Sequence, residues 1–342
     1  WLKPSGLKGG REGHCFIMPP APRRVAGMLR QGAFATSGAV GHALRMAGAS
    51  AHSRSAATCP FTHLEHTRWE AAVRPYDRIF GQLTAQASRH IVDRALCAAG
   101  ATMDAPGLDC ATGPGYVVEE ALRRGVSGGS LVGVDFSAAM LKRAQERVVN
   151  SDVTWLEADI QELPASLSGR FAWCTCNFGV LHLARPEAFF TAARQALRPG
   201  GALVFTVWAE LAASPAFQIP YRAIEEHGSV DVGLPPGPPF FKFSDAGAAI
   251  EALEEAGFQA DSVTAEVVDM QWALERPEDL WEVFLEGTAR TGAILERQAP
   301  SARTRMEAAM REAVVAAQPS APAPPYLLPQ PCLLVTALAP NS

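Results

Sequence analysis

From Leu64 onward the apolar positions of the chain fall into two alternating periods. His66 to Val73 and Leu83 to Ala98 repeat at helical spacing, and Trp69, Tyr76, Ile79 and Phe80 mark a first amphipathic segment. Strand-like runs then follow at 107–111, 130–134, 152–157, 171–176 and 201–208, separated by helical stretches at about 115–125, 137–149 and 185–198. Regular strand-helix alternation predicts an α/β fold with a parallel sheet built from right-handed crossovers. Pro199-Gly200-Gly201 reads as the stop of the helix ending near Arg198 and the turn into the next strand.

Beyond residue 209 the pattern loosens. A Pro/Gly-rich loop, 234–241, precedes a helix at about 245–256 and a strand at 262–272. Helices at about 277–290 and 302–317 lead to a Pro-rich spacer, Pro319 to Pro331, and a last strand at 332–338.

Residues 1–64 carry no sustained period and read as a disordered leader, with the folded domain expected at 65–342. Charge sharpens that boundary. The leader holds eight Lys+Arg against the single acid Glu12, leaving 22 basic and 34 acidic residues for the rest of a chain whose net charge is −5. The head is therefore about +7 and the body about −12. An Arg- and Ser-bearing head without acids from Met18 to Leu64 has the composition of an organellar transit peptide; the other reading is an extension foreign to the folded protein. The expected location is cytoplasmic, or mitochondrial or plastid if the head is a transit peptide. An acidic body argues against a nucleic-acid partner. No run approaches the ~18 apolar residues of a membrane span, and the seven cysteines form no metal-like spacing, so no metal site is expected.

Candidate chemistry sits at strand ends. Leu108-Asp109-Cys110-Ala111-Thr112-Gly113-Pro114-Gly115-Tyr116 closes one strand and opens a helix, where a doubly wound sheet receives its ligand. Gly113 and Gly115 permit a tight turn and close backbone approach, and the helix starting near Gly115 points free N–H groups at a negative group above it. Asp135 ends the next strand about 20 residues later, positioned to accept both ribose hydroxyls of a nucleoside, with Ser137 as a helix cap. After the third strand, Glu157-Ala158-Asp159-Ile160 offers an acid for a purine amine, with Ile160 and Phe136 against its faces. The fourth strand ends in Cys176-Asn177-Phe178-Gly179-Val180-Leu181-His182. Four such loops converge on one sheet edge.

These motifs resemble the class I S-adenosylmethionine-dependent methyltransferases, in particular the small-molecule group related to the quinone C-methyltransferases. The likeness covers about 66–342 and is most specific in Asp109 to Gly115, Val134 to Met140 and Leu197 to Val207. It implies a Rossmann-like seven-stranded sheet of order 3-2-1-4-5-7-6 with the last strand antiparallel, and helical cap insertions at about 209–245 and 275–331. It implies S-adenosyl-L-methionine as cofactor, with Asp109, Ala111 and Gly113 at the methionine end and Asp135 on the ribose. Phe136 and Met140 would flank the adenine, Asp159 and Ile160 would read its edge, and Asn177 would close the site. Tyr76 and Gly115 complete the expected cofactor-binding set. Ala111 departs from the family, which usually has Gly there.

In that arrangement Phe240, Phe241, Phe243, Trp208, Trp272 and Trp281 are the candidates for an apolar pocket holding a small-molecule acceptor. Methyl transfer by in-line displacement rests mainly on positioning in a dry pocket. His182 is the candidate catalytic base, the other reading being a structural histidine. Two rival functions stand beside this one. A nicotinamide-dependent oxidoreductase shares the glycine turn and strand-end acid, but Gly113-Pro114-Gly115-Tyr116-Val117-Val118 lacks the third small residue of the dinucleotide fingerprint. The other rival is a cofactor-binding protein without catalysis.

Overall fold

A computed structural model describes residues 59–149, 151–318 and 323–341. The leader, apart from its last residues, lies outside this description. Helix α1 spans Pro60–Pro75, so its first turns fall inside the stretch expected as leader, and Phe61 and Thr62 are buried there. Proline at the first helical position lacks only an N–H that would have had no partner. Pro75 likewise gives no N–H to the ladder, and the chain widens into a π-helical turn over Tyr76–Phe80 before α2, Gly81–Ala98.

The alternating core follows: β1 Gly107–Cys110, α3 Tyr116–Arg123, β2 Leu131–Asp135, α4 Ala138–Arg147, β3 Thr154–Glu157, β4 Phe171–Asn177, α5 Pro186–Ala196 and β5 Leu197–Trp208. Ser137 caps α4 by accepting the Met140 N–H at 3.1 Å. Beyond β5 come α6 Pro215–His227, α7 Ala246–Glu255, β6 Thr264–Val268, β7 Gln271–Leu274, α8 Asp279–Glu286, α9 Arg290–Glu296, α10 Pro300–Ala316, β8 Tyr326–Pro329 and β9 Cys332–Leu338.

Seven strands form one sheet of order β3-β2-β1-β4-β5-β9-β6, with β9 antiparallel to both β5 and β6. The topology is the expected one. Both faces are covered, so the central strands are buried along nearly their whole length. One core packs Leu83, Ile91, Val118 and Val204 under α2 and α3, and the other packs Leu108, Val134, Phe189, Phe190 and Phe205 under α5 and α7.

Four expectations need correction. The helix before Pro199 stops at Ala196 and β5 starts at Leu197, because the Pro-Gly-Gly turn is accommodated as a register shift between Phe171 and Trp173 on the neighbouring strand. The run 262–272 is not one strand: β6 pairs with β9 in the main sheet, whereas β7 turns away to pair with β8. The Pro-rich stretch is consequently more than a spacer, since Tyr326–Pro329 is that partner strand. Helix α6, absent from the sequence reading, carries Pro220 in its interior, which masks a helical period.

Candidate active site: a cavity across the strand ends

The chain leaves β1 through a turn in which Ala111, Gly113 and Gly115 all have positive φ, at 51°, 52° and 87°. Only glycine adopts this region freely. A Cβ on Gly113 would meet nothing within 4 Å, so that position opens onto free space, while one on Gly115 would sit 3.0 Å from the Ala144 Cβ of α4. Gly113 therefore keeps the floor of a cradle bare, and Gly115 lets α3 close on α4. Ala111, where the resemblance leads one to expect glycine, takes a glycine-like conformation, and its methyl is accommodated by Gly179, where an added Cβ would lie 2.5 Å from it.

Beneath this turn the Asp109 carboxylate is 2% exposed and accepts the hydroxyls of Thr112 at 2.6 Å and Thr175 at 2.8 Å. Burial pushes its pKa up to about 7, against the pull of both hydroxyls. Asp109 thus braces the turn from below and does not reach the cavity wall. Asp135, 5% exposed at the tip of β2, accepts the Gly113 N–H at 2.8 Å on one oxygen and the Ser137 N–H at 2.9 Å on the other. Burial raises it to about 6, opposed by these two backbone donors, and nearby Glu70 adds a smaller push upward. Each carboxylate oxygen still has a lone pair for one more donor.

These groups line one cavity of about 1140 Å³, counting the part open to solvent. Ala111, Gly113, Asp135, Phe136, Met140, Asp159, Ile160 and Asn177 of the expected cofactor-binding set are on its wall. Asp159 is partly occupied: it caps a short turn by accepting the Gln161 N–H at 2.9 Å and holds the Gln161 amide at 3.0 Å. Gln161 itself lines the wall and went unnoticed in the sequence. Asn177 ties β4 to α2 and β5, donating to the Thr84 carbonyl at 3.1 Å and accepting the Thr206 hydroxyl at 2.7 Å.

Tyr76, also of the expected cofactor-binding set, lines the wall with its hydroxyl 2.9 Å from that of Thr84 and its ring stacked on Phe80. Burial pushes its pKa up to about 12, so it stays a neutral donor. The segment is latched to α3 and α4 by Asp77, which accepts the Tyr116 hydroxyl and pairs with Arg143 at 2.7 Å and with Arg147. His182 also lines the cavity, and its Nδ1 is 3.0 Å from Glu65, a fully buried residue of α1 that additionally accepts the Trp69 indole N–H at 3.1 Å. A carboxylate only accepts, so Nδ1 of the neutral ring carries the proton and Nε2 the lone pair. His182, the expected candidate base, is thus on the cavity wall, while nothing in the sequence pointed to Glu65, 117 residues away.

Of the six aromatics expected around the acceptor, Trp208 and Phe240 line the cavity. Phe241 packs against Phe217 and Tyr221, Phe243 against Phe190, Trp272 against Phe80 and Phe284, while buried Trp281 belongs to the core. Their places are taken by Phe80, Phe217, Tyr221 and Phe284. Helix α1 spans both ends: Glu70 accepts the Ala139 N–H at the start of α4, and Arg68 reaches Glu296 of α9 at 2.6 Å.

Residues 108–201 match a family model described as a methyltransferase domain. Over that stretch the chain carries a methyltransferase domain, set in a sheet of Rossmann-like order. Among curated proteins it is similar to the ubiquinone/menaquinone biosynthesis C-methyltransferase UbiE of Roseobacter denitrificans, 28% identical over 166 residues, a match covering 44% of this chain and 65% of that one. Among solved structures it resembles the Haemonchus contortus phosphoethanolamine N-methyltransferase 2 in complex with S-adenosyl-L-methionine, with 18% identity, a TM-score of 0.47, and coverage of 83% of this chain and 60% of that one. It also resembles the [4+2]-cyclase SpnF, with 18% identity, a TM-score of 0.43, and coverage of 75% and 83%. Among the described residues no helix is long and apolar enough to cross a membrane.

Proposed function

We propose that this chain transfers a methyl group from S-adenosylmethionine to a small-molecule acceptor, working from Pro60 onward as one domain with cap segments at about 209–245 and 275–331. The observation that carries the reading is the continuity of one cavity from the bare Gly113 cradle and the buried Asp135 carboxylate to the His182–Glu65 pair.

The residues fit the cofactor. Asp135 would take the two ribose hydroxyls on its remaining lone pairs, Phe136, Met140 and Ile160 would enclose the base, and Asp159 with Gln161 would face its edge. Gly113 leaves room for the methionine portion. When bound, S-adenosylmethionine supplies an electrophilic methyl carbon on a positively charged sulfur. The chain does the rest. Trp208, Phe217, Phe240 and Phe284 exclude water and hold the acceptor against that carbon, which is where most of the acceleration of such a displacement originates. His182 Nε2 takes the acceptor's proton, and buried Glu65, a positioning residue, fixes the tautomer and offsets the charge the ring acquires. The acidic body and the enclosed wall favour a small molecule over a nucleic acid.

Incubation with labelled S-adenosylmethionine and a metabolite extract tests the transfer, the labelled product identifying the acceptor. S-adenosylhomocysteine should raise the melting temperature while NAD and NADP do not, because a ligand of the native state stabilises it by mass action. The opposite preference would favour the oxidoreductase reading.

A further inference from the structure

Away from Asp135 and Asp159, the cavity wall carries one permanently charged side chain, Arg290. From His182 the aromatic wall runs through Phe240 (ring centroids 5.9 Å apart), on to Phe217 (6.4 Å) and then Phe284 (5.4 Å). There it reaches Thr288, whose hydroxyl donates to the Phe284 carbonyl at 2.6 Å, and the cavity-lining Arg290 and Tyr221. Arg290 is half-buried, and among the described residues no carboxylate lies within ion-pair distance of it. Its guanidinium donates to the Pro235 carbonyl at 2.8 Å and lies 5.8 Å from the Phe61 ring. Arg68, on the same side of the molecule, contrasts with it: that guanidinium is paired with Glu296 at 2.6 Å and also donates to the Leu285 and Thr288 carbonyls.

A guanidinium has five donors in a planar fork that matches a carboxylate. A cation held at an apolar wall without a counter-charge is costly, and an anionic ligand removes that cost. We infer that the acceptor is an organic acid, an apolar aromatic or aliphatic body whose carboxylate is held by Arg290 while its methyl-accepting atom lies toward His182. Tyr221 suits the same end: burial pushes it up to about 12, so it remains a neutral neighbour of Arg290 and adds no competing negative charge. A phosphate ester fits less well, because a single guanidinium would leave its second charge unmatched. The assignment of the reacting end rests on the methyltransferase reading; the anchor does not.

The test is calorimetric titration of the full chain, with and without saturating S-adenosylhomocysteine, using 3-phenylpropionate and decanoate against their primary amides. The acids should bind at least tenfold more tightly than the amides, as for charge-assisted pairing. Arg290→Gln should erase that ratio while amide affinity persists, and Arg290→Lys should restore part of it; a role confined to holding the Pro235 loop would weaken acids and amides alike. Equal affinity for acid and amide, a ratio that survives Arg290→Gln, or tighter binding of 2-phenylethyl phosphate than of the acids would overturn the proposal. Failure of S-adenosylhomocysteine to bind would instead remove the methyltransferase reading, with the acid-to-amide ratio still deciding the anchor.

Discussion

The two ends of the cavity are built by different means. The end we assign to the cofactor is backbone and short side chains drawn from turns at successive strand ends, where Gly113, Asp135, Asp159 and Asn177 each sit at the C-terminal tip of their own strand or just beyond it. The end we assign to the acceptor is a set of large side chains gathered from α1, the π-helical turn, β5, α6, the loop ahead of α7, and α8. A parallel sheet fixes where its strand ends point, so the first end is determined by topology. The second depends on how caps pack, and packing can be rearranged without altering the sheet. On the proposed reading, cofactor binding and choice of acceptor are thus separable, and substitutions should sort accordingly.

The largest effect should come from the base. His182→Ala is expected to lower the rate of methyl transfer about 10²–10⁴-fold, the usual contribution of a positioned base, while leaving S-adenosylhomocysteine affinity near the parent value. Glu65→Gln should lower the rate less and alter its pH profile, because the ring loses the partner that holds its tautomer. Single-turnover transfer of label measures both. If His182→Ala instead weakens S-adenosylhomocysteine and spares the rate, the two ends are not separable as described.

Next in size is Asp135→Ala, expected to weaken S-adenosylhomocysteine tenfold or more, since losing a charge-assisted hydrogen bond costs about 1.5–3 kcal/mol. Its pH dependence has a definite sign. The carboxyl is raised to about 6 and must be ionised to accept two hydroxyls, so affinity of the parent should fall as pH drops below 6 and level off above it. Calorimetric titration from pH 5 to 8 reads this directly, and a flat profile would show that Asp135 does not carry the ribose.

The contrast also explains what the sequence disclosed. Strand, turn and strand-end acid lie within a few residues of one another, so local spacing points to Gly113, Asp135, Phe136 and the capping Ser137, whereas Met140 is pointed to only by the family resemblance. Glu65 reaches His182 only because α1 folds back over the sheet, and no local pattern encodes a pair 117 residues apart. For the aromatics, a sequence shows that Trp272 and Phe284 are apolar but not which one faces a cavity. Trp272 is buried against Phe80 and Phe284, whereas Phe284 is on the wall. The change of partner sheet at 268–271 was equally hidden, because β6 and β7 read as one continuous run.

A third test probes the fit beneath the cofactor end. In Gly179→Ala the new methyl would stand 2.5 Å from the Ala111 Cβ and 2.7 Å from the Cys176 sulfur, so overpacking of about 1–3 kcal/mol is expected. Adding Ala111→Gly should recover part of the loss, a non-additivity that thermal melts of the two single variants and the double would reveal. Strict additivity would mean that the two positions do not share this space.

The smallest expected effect, and the one of opposite sign, concerns Asp109. Its pKa is raised by burial from 3.8 to about 7, so the folded chain binds this proton more tightly than the unfolded chain does. Stability from this group is therefore greatest at low pH and is lost as pH rises from about 4 through 7. Asp109→Asn removes the ionisation. The amide oxygen keeps one acceptor for Thr112 or Thr175, and its NH₂ can donate to the other hydroxyl, so the brace under the turn survives. The variant should melt a few degrees above the parent at pH 8, by less at pH 5 and nearly level with it at pH 4, with S-adenosylhomocysteine affinity little changed because Asp109 is not on the cavity wall. A variant that loses stability equally at all these pH values would show that the turn is held by the charge of Asp109 and not by its shape, and a loss of cofactor affinity alone would return Asp109 to the methionine end of the site.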